Sequence, residues 1–176
     1  MTTVPEIKQE LGRARYFTAQ RYKDELQFHF RQYESKDGNQ VPTKRGVYLK
    51  PNQMKNLLLC ASTLVTDAEM AFSNGQMEYR SHLGYGVYAI VTKFKGQKYI
   101  DIRRFWKPAD AIEAVATTNG CLMKLDEFDK FLKLIPIIHQ NYPELNLIQD
   151  CQCMFQPNQL GYLQCSMCNP FDFQNW

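Results

Sequence analysis

The sequence predicts an α+β protein built from two repeats, each an antiparallel sheet of about four short strands followed by one α-helix, with a Cys-rich tail behind them. Three observations predict this. Tyr88–Trp106 (YAIVTKFKGQKYIDIRRFW) alternates in period two on either side of Lys95-Gly96-Gln97-Lys98, which reads as a four-residue hairpin turn. A shift of 72 positions lays Tyr16–Tyr33 on this stretch: Tyr16 meets Tyr88, Arg21 meets Lys93, Tyr22 meets Phe94, and Phe28–Tyr33 meets Ile100–Phe105 without a gap. A second block repeats behind each hairpin, Val41–Lys50 falling on Val115–Lys124 at a shift of 74.

The elements follow in order. Residues 1–13 show no apolar periodicity and read as a polar arm. The first repeat spans 14–72. After its hairpin, Glu34–Gln40 (ESKDGNQ) reads as a polar loop, and Thr43–Leu49 as a short strand with a basic entry. Val41–Pro42 and its surroundings are the candidate fourth strand. Pro51 suits the first turn of a helix, and Met54, Leu57, Leu58, Ala61, Leu64, Val65 and Ala68 recur at helical spacing to near Ala71. Residues 73–86, with Ser73-Asn74-Gly75 and His82-Leu83-Gly84, read as a linker. The second repeat, 87–141, adds a strand near Cys121–Met123 and a helix capped by Asp126. Phe128, Phe131, Leu132 and Ile135 form its buried stripe, and Pro136 ends or kinks it. A unit of about 60 residues buries only about 60% of its unfolded surface alone, so the halves are expected to pack together.

The totals narrow the function. The chain has 176 residues, with 21 Lys and Arg against 18 Asp and Glu, a net charge of +3. That is too small for a global field, so local clusters carry any polyanion binding. Lys93–Lys107 holds such a cluster, six basic residues against one acid. No apolar run reaches the roughly 20 residues of a membrane span, and no signal-peptide core opens the chain. A soluble intracellular protein follows, whose cysteines are thiols or metal ligands sooner than disulfides. His29, His82 and His139 fall in unrelated contexts, and no phosphate-binding glycine loop or nucleophile elbow accompanies them, which argues against an enzyme.

Lys93-Phe94-Lys95-Gly96 and Ile100-Asp101-Ile102-Arg103-Arg104-Phe105-Trp106, with Lys44-Arg45-Gly46-Val47-Tyr48-Leu49-Lys50-Pro51 from the first repeat, resemble the C-terminal domain of the Positive Cofactor Four family of transcriptional coactivators. The resemblance covers roughly residues 14–138. It implies curved sheets paired as an intrachain pseudo-dimer, monomeric or further self-associated. It also implies binding of single-stranded or melted DNA, partners in transcription or replication, and a nuclear location or another site of DNA transcription. On matching positions the contacts would be Arg21, Lys23, Arg31, Lys44 and Arg45, then Lys93, Lys95, Arg103 and Trp106. Tyr22, Tyr33, Phe94 and Lys98 complete the candidate surface.

The repeats depart from each other: Glu34 stands opposite Trp106, and Thr118-Asn119 replace Lys44-Arg45. The expectation is one asymmetric path in which each half supplies what the other lacks. The chemistry suits unpaired nucleic acid independently of the family, because aromatic rings stack on any base and Lys or Arg neutralises phosphate without reading sequence. Single-stranded RNA is open on the same grounds. In the competing reading the cations are solvated edge charges, the rings belong to the core, and the protein is an adaptor with weak or no nucleic-acid binding.

Cys151-Gln152-Cys153 and Cys165-Ser166-Met167-Cys168 offer four thiols for one tetrahedral, structural zinc within 142–176, with free thiols or disulfides as alternatives. Cys60 and Cys121, on apolar segments, read as small buried hydrophobes. The aromatic ending Asn169–Trp176 would dock a partner, pack on the Cys-rich module or fold back over a sheet.

Overall fold

A computed structural model describes residues 6–148 and 167–176. The first unit runs β1 (Ile7–Gly12), β2 (Arg15–Tyr22), β3 (Glu25–Lys36), β4 (Asn39–Leu49), α1 (Pro51–Cys60) and α2 (Leu64–Ser73). The second runs β5 (Glu78–Gly84), β6 (Val87–Phe94), β7 (Gln97–Trp106), β8 (Val115–Lys124) and α3 (Leu125–Asn141). Each unit is a four-stranded antiparallel sheet with neighbours in chain order, β1-β2-β3-β4 and β5-β6-β7-β8, and a helical segment behind it. No helix among the described residues is long and apolar enough to cross a membrane.

Five of the six hairpin connections are two-residue turns, Arg13-Ala14, Lys23-Asp24, Asp37-Gly38, Tyr85-Gly86 and Lys95-Gly96, with φ between 49° and 80°. Left-handed pairs of this kind twist with the strands they join. The turn at Lys95 is therefore two residues long, and Gln97 and Lys98 already belong to β7.

Five elements differ from the sequence reading. The arm and the linker each carry a strand: β1 pairs with β2, and β5 with β6. These are edge strands that bury little beyond Leu11 in β1 and Leu83-Gly84 in β5, so no alternation marks them. The fourth strand therefore leads each sheet, and Val41–Pro42 lies within β4. Glu34–Gln40 is not a loop but the tip of a long β3–β4 hairpin, polar because both its faces meet solvent. The predicted single helix is broken by a 3-10 turn at Ala61–Thr63, where Ser62 and Thr63 are weak helix formers. Lys124 rather than Asp126 is the N-cap of α3, and α3 continues through Pro136 to Asn141.

One core serves both units. Phe17, Ala19, Phe28, Phe30, Val47 and Leu49 of the first sheet meet Val87, Ala89, Val91, Ile100, Ile102 and Met123 of the second through Met54, Leu57, Leu64, Phe128, Phe131 and Ile138 of the helices. The helices are exchanged, α1 and α2 packing on β5 while α3 packs on β1. The third residue of each helix closes a capping box and then reaches across. Gln53 accepts the Lys50 N–H at 2.9 Å and donates to the Gly84 carbonyl at 2.8 Å. Glu127 accepts the Lys124 N–H at 2.9 Å and pairs with Arg13 at 3.2 Å and Arg15 at 3.4 Å.

Candidate nucleic-acid interface

Alternation along the strands leaves an outer face on each sheet, away from the helices. On the first, Tyr16 and Tyr33 stack with centroids 4.4 Å apart and planes 13° apart. Lys8 Nζ lies 5.5 and 5.0 Å from the two ring centres. The second face repeats the arrangement with Tyr88 and Phe105 at 5.1 Å, edge to face, and Arg80 at 5.9 and 4.6 Å from them. A second duplicated pair sits at the hairpin tips. Tyr22 is 44% and Phe94 61% exposed. Lys23 and Lys95 each hold their ammonium 5.4 Å over the neighbouring ring. Cation and ring are thus pre-assembled at four places on the two sheets.

Between these stations each sheet fixes an arginine by the same local geometry. A bulge where β3 meets β4 lets Arg31 Nη1 donate to the Thr43 carbonyl at 2.9 Å, while the Thr43 hydroxyl donates to the Gln32 carbonyl at 2.7 Å. In the second sheet Arg103 Nη1 donates to the Thr117 carbonyl at 2.8 Å and the Thr117 hydroxyl to the Arg104 carbonyl at 2.7 Å. Both guanidinium stems lie across a glycine. A Cβ at Gly46 would sit 2.7 Å from Arg31 Cγ, and one at Gly120 2.5 Å from Arg103 Cζ.

The two arginines differ in charge balance. Arg103 Nε donates to Asp101 at 2.7 Å. Arg31 has His29 where Arg103 has Asp101, with Nδ1 at 3.5 Å, and among the described residues no carboxylate pairs with it. Burial lowers the Arg31 pKa, so its charge is held at a desolvation cost that an incoming anion would relieve. Burial, and secondarily the Arg31 charge, push the His29 pKa from 6.5 to about 4. The folded chain refuses a proton that the unfolded chain accepts. This contribution to stability is therefore complete above pH 6.5 and is lost as pH falls toward 4. Urea midpoints measured from pH 7 to 4 should fall less steeply for His29→Gln than for the parent chain.

The sequence candidates divide on the structure. Tyr22, Lys23, Arg31, Tyr33, Phe94, Lys95 and Arg103 belong to the outer faces or their tips, although Tyr33 is buried by its stack. Lys44 and Arg45 are exposed on β4. Arg45 lines a cavity of about 270 Å³ with Arg15, Arg103 and Thr118, so the junction of β4 and β8 gathers cations from both units. Arg21, Lys93 and Lys98 are corrected: alternation turns them toward the helix side. Arg21 pairs there with Glu6 at 3.5 Å and with Glu144, and Lys98 with Glu69 of α2. Lys93 lines a hollow with Phe72 and Met77. Trp106 is 60% exposed at the end of β7, but Phe105 is the ring that shares a side of the strand with Arg103.

Lys8, Tyr16, Arg80, His82 and Tyr88 are members of this surface that the sequence reading did not single out, and Arg15, paired with Glu127 on the helix side, joins them only at the β4–β8 cavity. The shift of 72 that pairs Tyr16 with Tyr88 also pairs Lys8 with Arg80, and was the available signal. Of the four tail cysteines, Cys151, Cys153 and Cys165 lie outside the described residues. Cys168 is half-buried, and no cluster that would hold a metal occurs among the described residues.

Fold and surface define an α+β protein with two basic, aromatic sheet faces over a shared helical core. The family model of Transcriptional Coactivator p15 (PC4) matches residues 9–59, from within β1 almost to the end of α1. No curated protein and no solved structure matches the chain.

Proposed function

We propose that the protein is a non-enzymatic, sequence-independent single-stranded DNA-binding coactivator of transcription, replication or repair, acting where DNA is melted, in the nucleus or an equivalent compartment. The observation that carries this is the duplicated set of ring-and-cation pairs on the outer faces, Lys8 with Tyr16 and Tyr33, Arg80 with Tyr88 and Phe105, and the tips at Tyr22 and Phe94. Stacking contributes about 1–3 kcal/mol per base whatever the base, and the lysines and arginines neutralise the backbone between stations. The family match on the first unit supports the same reading. The second unit, with the same strand order and the same arginine-over-glycine bulge, is read as a duplicate of the first, and the chain as a fused pseudo-dimer. Its junction, with Arg45 beside Arg103, joins the two halves of one path.

The test is anisotropy binding of labelled oligo(dT) of about 20 nucleotides against duplex of equal length across a salt series. Single strands should win, and the joint change Lys44→Ala with Arg45→Ala should reduce the log–log salt slope by about 1.4, or about 0.7 per lost phosphate contact. Equal binding of duplex, or a slope unchanged by both substitutions, overturns the reading. One observation favours an adaptor as the second reading: Met70 near the end of α2 and Met77 in the segment between α2 and β5 are 71% and 72% exposed, apolar side chains suited to protein contact. Partner binding there would be insensitive to salt.

A further inference from the structure

The β5–β6 turn end of the outer face of the second sheet is already occupied. The 167–176 segment returns to the β5–β6 turn, where the Tyr85 N–H donates to the Met167 carbonyl at 3.0 Å. His82 is fixed between two backbones: Gly86 N–H donates to its Nε2 at 3.0 Å, so its Nδ1–H donates to the Cys168 carbonyl at 2.9 Å. Trp176 then lies over the turn, its ring centre 5.9 Å from His82 and 6.3 Å from Tyr88, the latter edge to face at 72°. Phe173 packs on Trp176 at 4.9 Å, with Lys107 Nζ 5.6 Å from its own ring.

The room for Trp176 is specific to this sheet. A Cβ at Gly86 would come within 2.5 Å of the Trp176 ring. The equivalent turn residue of the first sheet is Ala14, which has that Cβ. Among the described residues no ring of the segment reaches Tyr16 or Tyr33. Trp176 thus joins the Arg80–Tyr88–Phe105 station, adding to it the kind of flat ring that a base would bring. Among the described residues its buried Nε1–H finds no acceptor, so an unmade hydrogen bond opposes the ring contacts.

Resting on the function proposed above, we infer that the 167–176 segment is a built-in competitor for the single strand. Docked, Trp176 closes the second sheet and leaves the first open. A strand long enough to pass from the first sheet to the second displaces it. Short strands therefore see one sheet, and long strands recruit both.

Two measurements on the full chain test this. If Trp176 is docked about nine-tenths of the time, the apparent affinity for oligo(dT) of about 20 nucleotides is lowered about tenfold, and Trp176→Ala should restore it. Trp106 and Trp176 are the two tryptophans, so Trp106→Phe leaves Trp176 as sole reporter, and its emission should move to the red on saturation as the ring enters water. Unchanged affinity in Trp176→Ala overturns the competitor while the binding reading stands. Weaker binding in that variant also overturns it and makes Trp176 a stacking partner, as does a buried emission that persists when the strand is bound. If neither the parent nor Trp176→Ala binds oligo(dT) at low salt, the function itself fails and the competitor falls with it.

Discussion

Phe131→Ala is expected to destabilise both halves of the chain together, by about 3–5 kcal/mol, in a single unfolding transition. Phe131 belongs to α3 of the second unit and is fully buried. Its ring lies 5.3 Å from Phe17 and 4.9 Å from Phe30, both in the first sheet, and 5.6 Å from Phe128 of its own helix. Truncation opens a cavity that β2 and β3 cannot close without leaving their partners. Since a domain has about 5–15 kcal/mol of stability in total, a large share goes with one side chain. Urea unfolding should be followed by far-ultraviolet dichroism, which reports both sheets, and by tryptophan emission, which reports the second unit alone. The two curves should shift together. Separate transitions, with the emission curve unmoved, would mean that the halves fold independently and that the exchanged helices contribute little.

Glu127→Ala is expected to cost about 3 kcal/mol, and Glu127→Gln distinctly less. The carboxylate is fully buried, yet it meets two guanidiniums and closes the capping box of α3. Removing it strips α3 of its cap and leaves Arg13 and Arg15 without that counter-charge. Both arginines are partly exposed and regain some water, which holds the effect to the lower end of the range for a broken buried pair. Glutamine keeps the cap and the shape but not the charge, as Gln53 does in α1. Urea midpoints of the two variants measure the difference. Equal midpoints for alanine and glutamine would assign the whole effect to the lost charge, since glutamine alone keeps the cap.

The inner strands were legible because one of their faces is buried and the other is not. Phe28-His29-Phe30 and Ile100-Asp101-Ile102 declare their alternation at sight. The edge strands β1 and β5 are held by backbone pairing and bury few side chains, so their residues carry no period. They become visible when Leu11 is set on Leu83 and Gly12 on Gly84 at the same shift of 72. Basic residues in strands were easy to find but hard to aim. Arg31 and Arg21 differ in side of the sheet, and only the carboxylates waiting at Glu6 and Glu144, distant in sequence or across the first turn, show that Arg21 serves the fold. Trp106 attracted attention by its size, whereas Phe105, one residue earlier, holds the place across from Tyr88.

The unequal crossing contacts, Gln53 to Gly84 and Glu127 to Arg13 and Arg15, decide which half recognises which. Setting a first unit against another first unit would place Gln53 beside two guanidiniums that need a carboxylate. Setting a second against a second would leave Glu127 facing Tyr85 and Val87, a buried charge with no cation. Like halves are therefore mismatched and unlike halves matched. Partner choice fixed in this way frees the two faces from having to be alike. Arg31 then keeps an uncompensated charge on one sheet while Arg103 is neutralised on the other, and the one molecule carries an open surface beside a guarded one.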